Sequence, residues 1–302
     1  MKILLTGGTG TIGRAFIMEA IQRQHQILVL SRNPEKFTST QVIEYIRWDG
    51  RTTDGWQSYM EKTDAVVNLA GANIGDRLWT PKRKRVIRES RLKAGQAVSQ
   101  AFTAAKNRPR VLLQASAVGY YGETGDSEVN ESSPAASDYL GDLCVEWENS
   151  TRNVEDLGVR RIVLRTGLVL TKTSGALGKL QIQYQLFAGG PLGSGKHWWP
   201  WIHLKDQALA MLYLLENDQA SGVYNLSAPT PARMADVGKA LAKVLKRPFW
   251  LPIPAFALKI VLGDMSKILL EGQRAIPKRL LELGYSYQYP ELEGALREIF
   301  TP

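Results

Sequence analysis

The sequence predicts an α/β fold in which a doubly wound parallel sheet carries a smaller, mostly helical C-terminal lobe. Three observations indicate this. Short apolar runs alternate with helical patterns, a glycine-rich turn follows the first run, and the alternation gives way to proline-punctuated helical sequence near the C-terminus. A chain of 302 residues with 44% hydrophobic composition can bury one large core or two smaller lobes.

The apolar runs are uniform rather than alternating, which is typical of strands buried on both faces of a parallel sheet. Seven runs are predicted strands: "KILLT", "QILVLS", "IEYIRW", "DAVVNLA", "RVLLQAS", "RRIVLRTG" and "GVYNLS". Helical patterns lie between them at Ile12–Gln24, Thr80–Lys106, Tyr139–Asp156 and Lys205–Glu216. This order predicts a Rossmann-type domain over residues 1–228.

The pattern changes after Leu170, where "GGPLGSGKHWWPWIH" is loop-like and residues 229–302 are mostly helical with prolines. We expect residues 229–302 to form the small lobe and residues 171–201 to contribute to it. Because "GVYNLS" returns to the main sheet, the lobe is woven into the chain. It is predicted to cover the carboxyl edge of the sheet, where ligands of such folds bind.

Composition argues against several classes of protein. The single cysteine, Cys144, excludes an internal disulfide framework, and His25, His197 and His203 are scattered without ligand spacing, so no metal is expected. No segment approaches ~18 uninterrupted apolar residues, and the N-terminal apolar run turns glycine-rich too early for a signal peptide. We therefore expect a cytoplasmic protein without a membrane partner.

The net charge of +9 indicates an anionic partner: a phosphorylated small molecule, nucleic acid or an acidic lipid surface. The densest basic run, Pro81–Lys93, has the spacing of an amphipathic helix. That run is either a solvated face, a partial binding site for a cofactor phosphate, or a nucleic-acid surface. No aromatic stacking platform interleaves with the charges, so nucleic acid is not expected.

The strongest motif is "KILLTGGTGTIGRAF", in which a strand runs into a glycine turn and then a helix. Glycine permits the tight turn and lets the backbone approach a pyrophosphate, whose charge meets the helix N-terminus. An ordinary glycine-rich turn is the alternative. With strand and helix both in place, we predict a dinucleotide site. Its candidate residues here are Gly7, Gly10, Thr11, Ile12 and Gly13.

The end of the second predicted strand distinguishes the two common dinucleotides. A carboxylate there would bind the ribose 2′-hydroxyl, but this chain has Ser31 and Arg32, which suit the 2′-phosphate of NADP. The alternative is a surface arginine in the turn before Pro34. Asp49, after the third strand, lies either near the adenine or in an ordinary loop. At the end of the fourth strand, "NLAG" contributes Leu69, Ala70 and Gly71 beside the ribose and pyrophosphate.

These strings carry a family resemblance. "TGGTGTIG", "NLAG", "QASAVGYYG" and "WIHLKD" resemble the extended short-chain dehydrogenase/reductase superfamily, which includes nucleotide-sugar epimerases and dehydratases. The loop "GGPLGSGKHWWPWIH" and Leu269–Tyr287 are similar to its atypical "epimerase family" branch. The resemblance implies a Rossmann fold with NADP bound, with Arg91 and Val169 among the cofactor contacts. It also implies that the usual catalytic residues are missing and that the substrate is not established.

The superfamily's catalytic pair is a tyrosine and, four residues later, a lysine that favours the phenolate of a group whose pKa is ordinarily ~10. Here Tyr139 is followed by Leu143 at the lysine position. The other possible frame puts Asp138 and Asp142 at the two positions. Neither frame supplies the pair, so we expect Tyr139 to be a packing residue at a helix start.

"QASAVGYYG" supplies the remaining catalytic candidates, Ser116 and Tyr121, as substrate contacts; ordinary packing at a strand end is the alternative. Trp198, Trp199 and Trp201 either line a pocket for a flat or sugar-like ligand or pack within the lobe. In the resembling enzymes the segment containing His203 and Asp206 packs under the active site. Neither residue is therefore expected to be catalytic.

Two functions follow as hypotheses. One is an NADP-dependent oxidoreductase or epimerase-like enzyme acting on an unidentified small molecule. The other is a catalytically silent NADP-binding regulatory or interaction protein. Either could be a monomer or a homodimer.

Overall fold

The computed structural model describes residues 1–301. The strands are β1 (Lys2–Thr6), β2 (Gln26–Ser31), β3 (Ile43–Arg47), β4 (Ala65–Asn68), β5 (Val111–Ala117), β6 (Glu128–Val129), β7 (Arg160–Thr166), β8 (Leu168–Leu170), β9 (Trp198–Trp199), β10 (Trp201–His203), β11 (Gly222–Leu226), β12 (Ala232–Arg233) and β13 (Arg274–Ala275). The helices are α1 (Thr11–Gln22), α2 (Pro81–Ala104), α3 (Tyr139–Asn149), α4 (Gly175–Gln185), α5 (Leu204–Glu216), α6 (Met234–Leu245), α7 (Ala255–Leu262), α8 (Lys267–Leu270), α9 (Lys278–Glu282) and α10 (Leu292–Phe300).

Seven strands form the central sheet in the order β11-β7-β5-β4-β1-β2-β3, and every neighbouring pair is parallel. These are the seven strands predicted from the apolar runs, so the doubly wound sheet is confirmed. The strand order reverses beside β1, which lies between β2 and β4. The crevice at the carboxyl ends of these strands is the usual ligand position in such a sheet.

Both faces of the sheet are covered because consecutive residues of a strand point to opposite sides. Ile3 and Leu5 pack in one apolar layer with Phe16 of α1 and Met211 of α5. Leu4 lies in the other layer, which α2 covers with the residues Ala94, Val98 and Phe102. The uniform apolar character of β1 follows from this burial on two sides.

The third predicted helix is shorter than expected. The structure ends α3 at Asn149, and Arg152–Leu157 form a separate 3₁₀ turn instead of continuing the helix to Asp156. Gly158 follows with φ of 76°, in the left-handed region, which turns the chain into β7. The helical periodicity continued through the turn, so the sequence did not reveal the break.

Two small pairings, β10 with β8 and β12 with β9, involve residues 198–203. A third pairing, β13 with β6, links the sheet domain to the C-terminal lobe. The core of this lobe combines side chains of α4, α6 and α10 with Trp199 and Trp201. No helix within residues 1–301 has both the length and the apolar character needed to cross a membrane.

Asp206 fastens the end of the chain to the sheet domain. Its carboxylate is fully buried and accepts hydrogen bonds from the amides of Gln288 and Tyr289, each at 2.8 Å, and from the hydroxyl of Tyr285 at 3.1 Å. A buried carboxylate is stable only with such donors. The residue therefore has the structural role that we expected for it.

We expect Asp206→Ala to lower the free energy of unfolding by about 3 kcal/mol, because the buried Tyr285 hydroxyl and the amides of Gln288 and Tyr289 lose their acceptor. Urea unfolding followed by circular dichroism measures the change. Asp218→Ala is the matched control, since the Asp218 side chain is fully exposed and its contact with Arg160 is 3.7 Å long. Equal losses in the two variants would contradict the role given to Asp206.

Candidate functional site

The glycine turn after β1 forms a concave backbone surface. Gly7 has φ of 69°, and a Cβ on it would lie 2.7 Å from the carbonyl oxygen of Leu69. A Cβ on Gly13 would lie 2.6 Å from the Cα of Gly8. Gly10 precedes α1 without a side-chain cap, and the first amides of a helix have no intrahelical acceptor. The turn therefore offers free N–H groups at a helix N-terminus, which is a site for an anion such as a pyrophosphate.

The "NLAG" segment is fixed beside this turn by a buried hydrogen-bond network. The Thr6 hydroxyl donates to Asn68 Oδ1 at 2.6 Å and accepts from the amides of Leu69 and Ala70, each at 3.1 Å. Asn68 in turn donates to Gln114 Oε1 at 2.9 Å. The sequence analysis missed Thr6 and Gln114, although polar residues inside apolar strands are a recognisable signal.

The end of β2 is basic. Ser31 is buried and its hydroxyl accepts from the amide of Asn33 at 3.2 Å, whereas Arg32 is exposed. The nearest carboxylate along the chain, Glu35, forms an ion pair with Arg47, with 2.7 Å between Oε2 and Nη2. Within residues 1–301 the Arg32 guanidinium has no ion-pair partner. Asp49 closes a turn by accepting from the amides of two following residues, at 2.8 and 2.9 Å, as a loop residue does.

Arg91 of α2 is a buried cation beside this segment. Its guanidinium would contact a Cβ on Gly71 at 3.2 Å, and it lies 4.7 Å from the ring centroid of Trp147. Nη1 donates to the carbonyls of Ala72 and Ile87, at 3.1 and 3.0 Å. No carboxylate of residues 1–301 pairs with it, and burial lowers its pKa. A buried guanidinium without a carboxylate is suited to an anionic ligand.

The two other cofactor candidates lie close to the turn. Thr11 Oγ1 is 3.1 Å from Ser174 Oγ, a contact that brings the loop after β8 against the start of α1. Val169 is in β8, and it packs with Ile12 against the same apolar layer. The structure therefore gathers the candidates of the glycine turn, β4, α2 and β8 along one edge of the sheet.

A cavity of about 250 Å³ opens between the carboxyl ends of β5 and β7 and the C-terminal lobe. Its walls are mostly apolar, and Arg91 forms part of them. The residues lining it from the sheet domain include Ala117, Val118, Leu143, Cys144, Trp147, Gly167 and Leu168; those from the lobe side include Trp198, Trp199, Lys267, Ile268, Glu271 and Gln273. Since Arg91 also contacts the "NLAG" segment, the cavity adjoins the candidate cofactor edge.

Tyr139 packs against α2 and is not among the residues that line the cavity. Its ring contacts Trp79 edge-on at 5.3 Å, and its hydroxyl donates to the carbonyl of Lys84 at 3.2 Å. Burial raises the pKa of its phenol. Leu143 lines the cavity where the superfamily has its lysine. A lysine of α2, Lys84, places its Nζ 4.9 Å from the centroid of the Tyr139 ring.

Ser116 and Tyr121 do not line the cavity. The Ser116 hydroxyl donates to Glu148 at 2.6 Å, and the Tyr121 hydroxyl donates to Asn225 at 2.7 Å while accepting from Arg165 at 3.1 Å. Burial raises the pKa of Tyr121 to about 12, so its phenol is neutral at physiological pH. Both hydroxyls belong to an interior network around the buried Arg165–Glu148 ion pair, which the sequence analysis missed.

The three tryptophans of residues 198–201 do not all line the cavity. Trp198 and Trp199 line the cavity, whereas Trp201 is fully buried in the lobe and donates to the carbonyl of Thr230 at 3.1 Å. His203 caps α5 and lies 2.8 Å from Glu298 of α10, so it serves the fold. Residues 1–301 contain no group of three or more metal-ligating side chains arranged to hold an ion.

Comparison with known proteins agrees with this architecture. The model of the NAD dependent epimerase/dehydratase family matches residues 3–227, and a domain of unknown function, DUF1731, matches residues 253–299. An Arabidopsis thaliana epimerase family protein SDR39U1 homolog, named chloroplastic, is 39% identical over 99% of this chain and 86% of its own. An epimerase family protein of Staphylococcus aureus (strain MRSA252) is 34% identical over 99% of both chains.

Solved structures give the same family. Human epimerase family protein SDR39U1, crystallised with NADPH, superposes with a TM-score of 0.87 at 33% identity and 99% coverage of both chains. The Thermus thermophilus UDP-glucose 4-epimerase complex with NAD has a TM-score of 0.78 at 19% identity, covering 99% of this chain and 98% of its own, which shows a shared fold alone. The chain therefore belongs to the NAD-dependent epimerase/dehydratase family, in the epimerase-family branch of the short-chain dehydrogenases/reductases that carries the C-terminal DUF1731 domain.

Proposed function

We propose that this protein is an NADP(H)-dependent oxidoreductase or epimerase-like enzyme that acts on a small molecule held in the cavity. One observation carries the proposal: the glycine turn, the basic end of β2 and the apolar cavity lie along the same carboxyl edge of the sheet. The human relative was crystallised with NADPH, whereas the Thermus epimerase carries NAD. The choice between the two cofactors therefore rests on this chain's own residues.

The backbone around the glycine turn fits a dinucleotide. The space beside Gly7 and Gly13 would be filled by any Cβ, and the first amides of α1 have no side-chain cap. The residues proposed to hold the cofactor are Gly7, Gly10, Thr11, Ile12, Gly13, Ser31, Arg32, Leu69, Ala70, Gly71, Arg91 and Val169. When bound, the nicotinamide supplies hydride transfer.

A proton donor other than tyrosine is needed, because Tyr139 packs against α2. The Cys144 thiol lines the cavity, but burial raises its pKa to about 12. One oxygen of Asp138 caps α3 by accepting from two amides. Glu271 also lines the cavity, and its carboxylate has no hydrogen bond within residues 1–301. We assign the proton transfer to Glu271.

The electrostatic surroundings of Glu271 support this assignment. Partial burial raises the pKa of its carboxyl, and the neighbouring carboxylates Glu123 and Asp138 add to the effect, while Lys267 opposes it. A carboxyl with a raised pKa keeps its proton to a higher pH than usual. Reduction that uses Glu271 as an acid is therefore expected to fall as pH rises through this raised pKa.

The second candidate function is a silent NADP-binding protein. The observation that favours it is Leu143, an apolar residue of the cavity wall four residues after Tyr139, where the resembling enzymes have a lysine. In that case the cofactor would stabilise the sheet edge, and no substitution in the cavity would change a turnover rate.

NADPH is expected to bind over tenfold more tightly than NADH, because a charge-assisted bond from Arg32 to the 2′-phosphate contributes about 1.5–3 kcal/mol, whereas Arg91, in the cavity wall, would serve both cofactors alike. Arg32→Asp should remove most of that preference by repelling the 2′-phosphate. Calorimetric titration measures both affinities. Arg152→Asp, at an exposed position remote from the glycine turn in sequence, controls for net charge. Equal affinities for NADPH and NADH in the unmodified protein would refute the assignment of Ser31 and Arg32.

Gly13→Ala should weaken NADPH binding by at least about tenfold, because the new Cβ displaces the turn by overpacking that costs about 1–3 kcal/mol. Fluorescence titration measures the affinity. Gly294→Ala, whose Cβ meets nothing within 4 Å, is the matched control in a helix of the lobe. An unchanged affinity in Gly13→Ala would show that the dinucleotide does not use this turn.

Tyr139→Phe and Glu271→Gln form a matched pair for catalysis. Across a panel of carbonyl compounds and nucleotide sugars, Tyr139→Phe should retain the parent turnover rate, while Glu271→Gln should lower it by about 10²-fold without changing NADPH affinity. Steady-state kinetics at several pH values gives the result. A large loss in Tyr139→Phe with intact binding would make that tyrosine catalytic. No turnover in any variant, the parent included, would favour the silent binder.

A further inference from the structure

The C-terminal lobe carries an exposed apolar surface that no other part of the described chain covers. More than half of the large apolar side chains exposed within residues 1–301 lie in two segments of this lobe. We call this surface the apolar ridge; its members are Ile182, Leu186, Phe187, Trp250, Leu251, Phe256, Ile260 and Val261. Ile260 is 79% exposed, more than any other member. Continuous exposed apolar surface of this kind marks an interaction site.

The two segments of the ridge touch each other. The indole of Trp250 donates to the carbonyl of Phe187 at 2.9 Å, and the amide of Trp250 donates to the carbonyl of Gly189 at 2.9 Å. The chain then passes through two prolines into α7, which contains no buried residue. Phe256 and Ile260 are four residues apart on this helix and so share one face. The two segments are thus in contact, and α7 continues directly from the second one.

Between Asp236 of α6 and Asp264 after α7, the charges near the second segment of the ridge are all basic. Between Val237 and Gly263 there are five basic residues, namely Lys239, Lys243, Lys246, Arg247 and Lys259, and no acidic residue. Residues 157–205, which contain the other segment, also lack Asp and Glu. The Arg247 guanidinium lies 4.6 Å from the ring centroid of Phe187, directly at the ridge.

The acidic groups that approach the ridge from other elements are few. Glu293 of α10 pairs with Lys243 at 2.9 Å. Asp264, which follows α7, pairs with Lys84 of α2 at 2.5 Å. Glu271 lies near enough to Lys259 for the lysine to lower the pKa of its carboxyl. Lys239, Lys246 and Arg247 have no carboxylate partner within residues 1–301, so the border of the ridge keeps a positive charge.

The exposed apolar side chains and the unpaired cations beside them decide whether the ridge fits a second copy of this chain or a lipid surface. In a two-fold dimer the ridge would face its own copy, and the unpaired cations at its border would repel each other. An anionic lipid surface suits both the cations and the apolar side chains of the ridge. Phosphate headgroups attract the Lys and Arg side chains, while Trp, Phe and Ile enter the boundary between headgroups and acyl chains.

We propose that the apolar ridge docks this protein on an anionic lipid surface. Such docking needs neither a membrane-spanning segment nor a signal peptide, and the expectation of no membrane partner rests on the lack of these two features. Part of the net charge of +9 would then contact lipid headgroups and not only the cofactor phosphate. The docking surface excludes the residues assigned to cofactor binding and proton transfer, so it stands independently of the proposed function.

Co-sedimentation with lipid vesicles tests the proposal. The full chain should bind vesicles of phosphatidylcholine mixed with phosphatidylglycerol, bind phosphatidylcholine vesicles far more weakly, and lose binding at high salt. Phe256→Asp and Ile260→Asp, at exposed positions, should each lower the partition coefficient by about tenfold. Met18→Asp is the control, because Met18 is 65% exposed but lies on α1 of the sheet domain.

Three outcomes would overturn the proposal. The first is no binding to either kind of vesicle, and the second is equal binding to both. The third is a dimer of the parent protein, seen by size exclusion with light scattering, that Ile260→Asp converts to a monomer, since the ridge would then be an interface between two copies. Circular dichroism and NADPH titration on each variant confirm that it is folded.

Discussion

The close approach of the backbone at the glycine turn is the constraint on which the site depends. A Cβ on Gly7 would lie 2.7 Å from the Leu69 carbonyl oxygen, so the turn after β1 and the segment after β4 touch through backbone alone. Thr6 reinforces that contact by bonding the amides of Leu69 and Ala70. The result is a narrow, rigid edge at which a pyrophosphate can meet the N-terminus of α1.

The C-terminal lobe completes the site because buried polar groups fix it to that edge. Asp206 holds the chain near Gln288, and Glu131 accepts from the amide of Asn225 at 3.0 Å and from the amide of Arg279 at 3.3 Å. Unpairing any of these buried groups would be costly, so the lobe has little freedom to shift. The cavity between lobe and sheet therefore has fixed walls, with Glu271 on one side and Leu143 on the other.

The strands and the glycine turn could be predicted from the sequence, because each is encoded by a pattern of neighbouring residues. The strands were recognisable because uniform apolar runs occur where both faces of a sheet are covered, and the glycine turn because its spacing serves one backbone geometry. The end of α3 was missed because periodicity continues through a 3₁₀ turn. The Arg165–Glu148 pair, the burial of Trp201 and the cavity position of Glu271 depend on contacts between distant segments, which no local pattern encodes.

The central claim is that a dinucleotide lies along the glycine edge with its nicotinamide end at the apolar cavity. Hydrogen–deuterium exchange with and without NADPH measures this directly. The account predicts slower exchange in three places: the turn around Gly7 and Gly13, the segment at Leu69–Gly71, and the cavity wall around Glu271. Protection confined to other parts of the chain, or none at saturating NADPH, would contradict it.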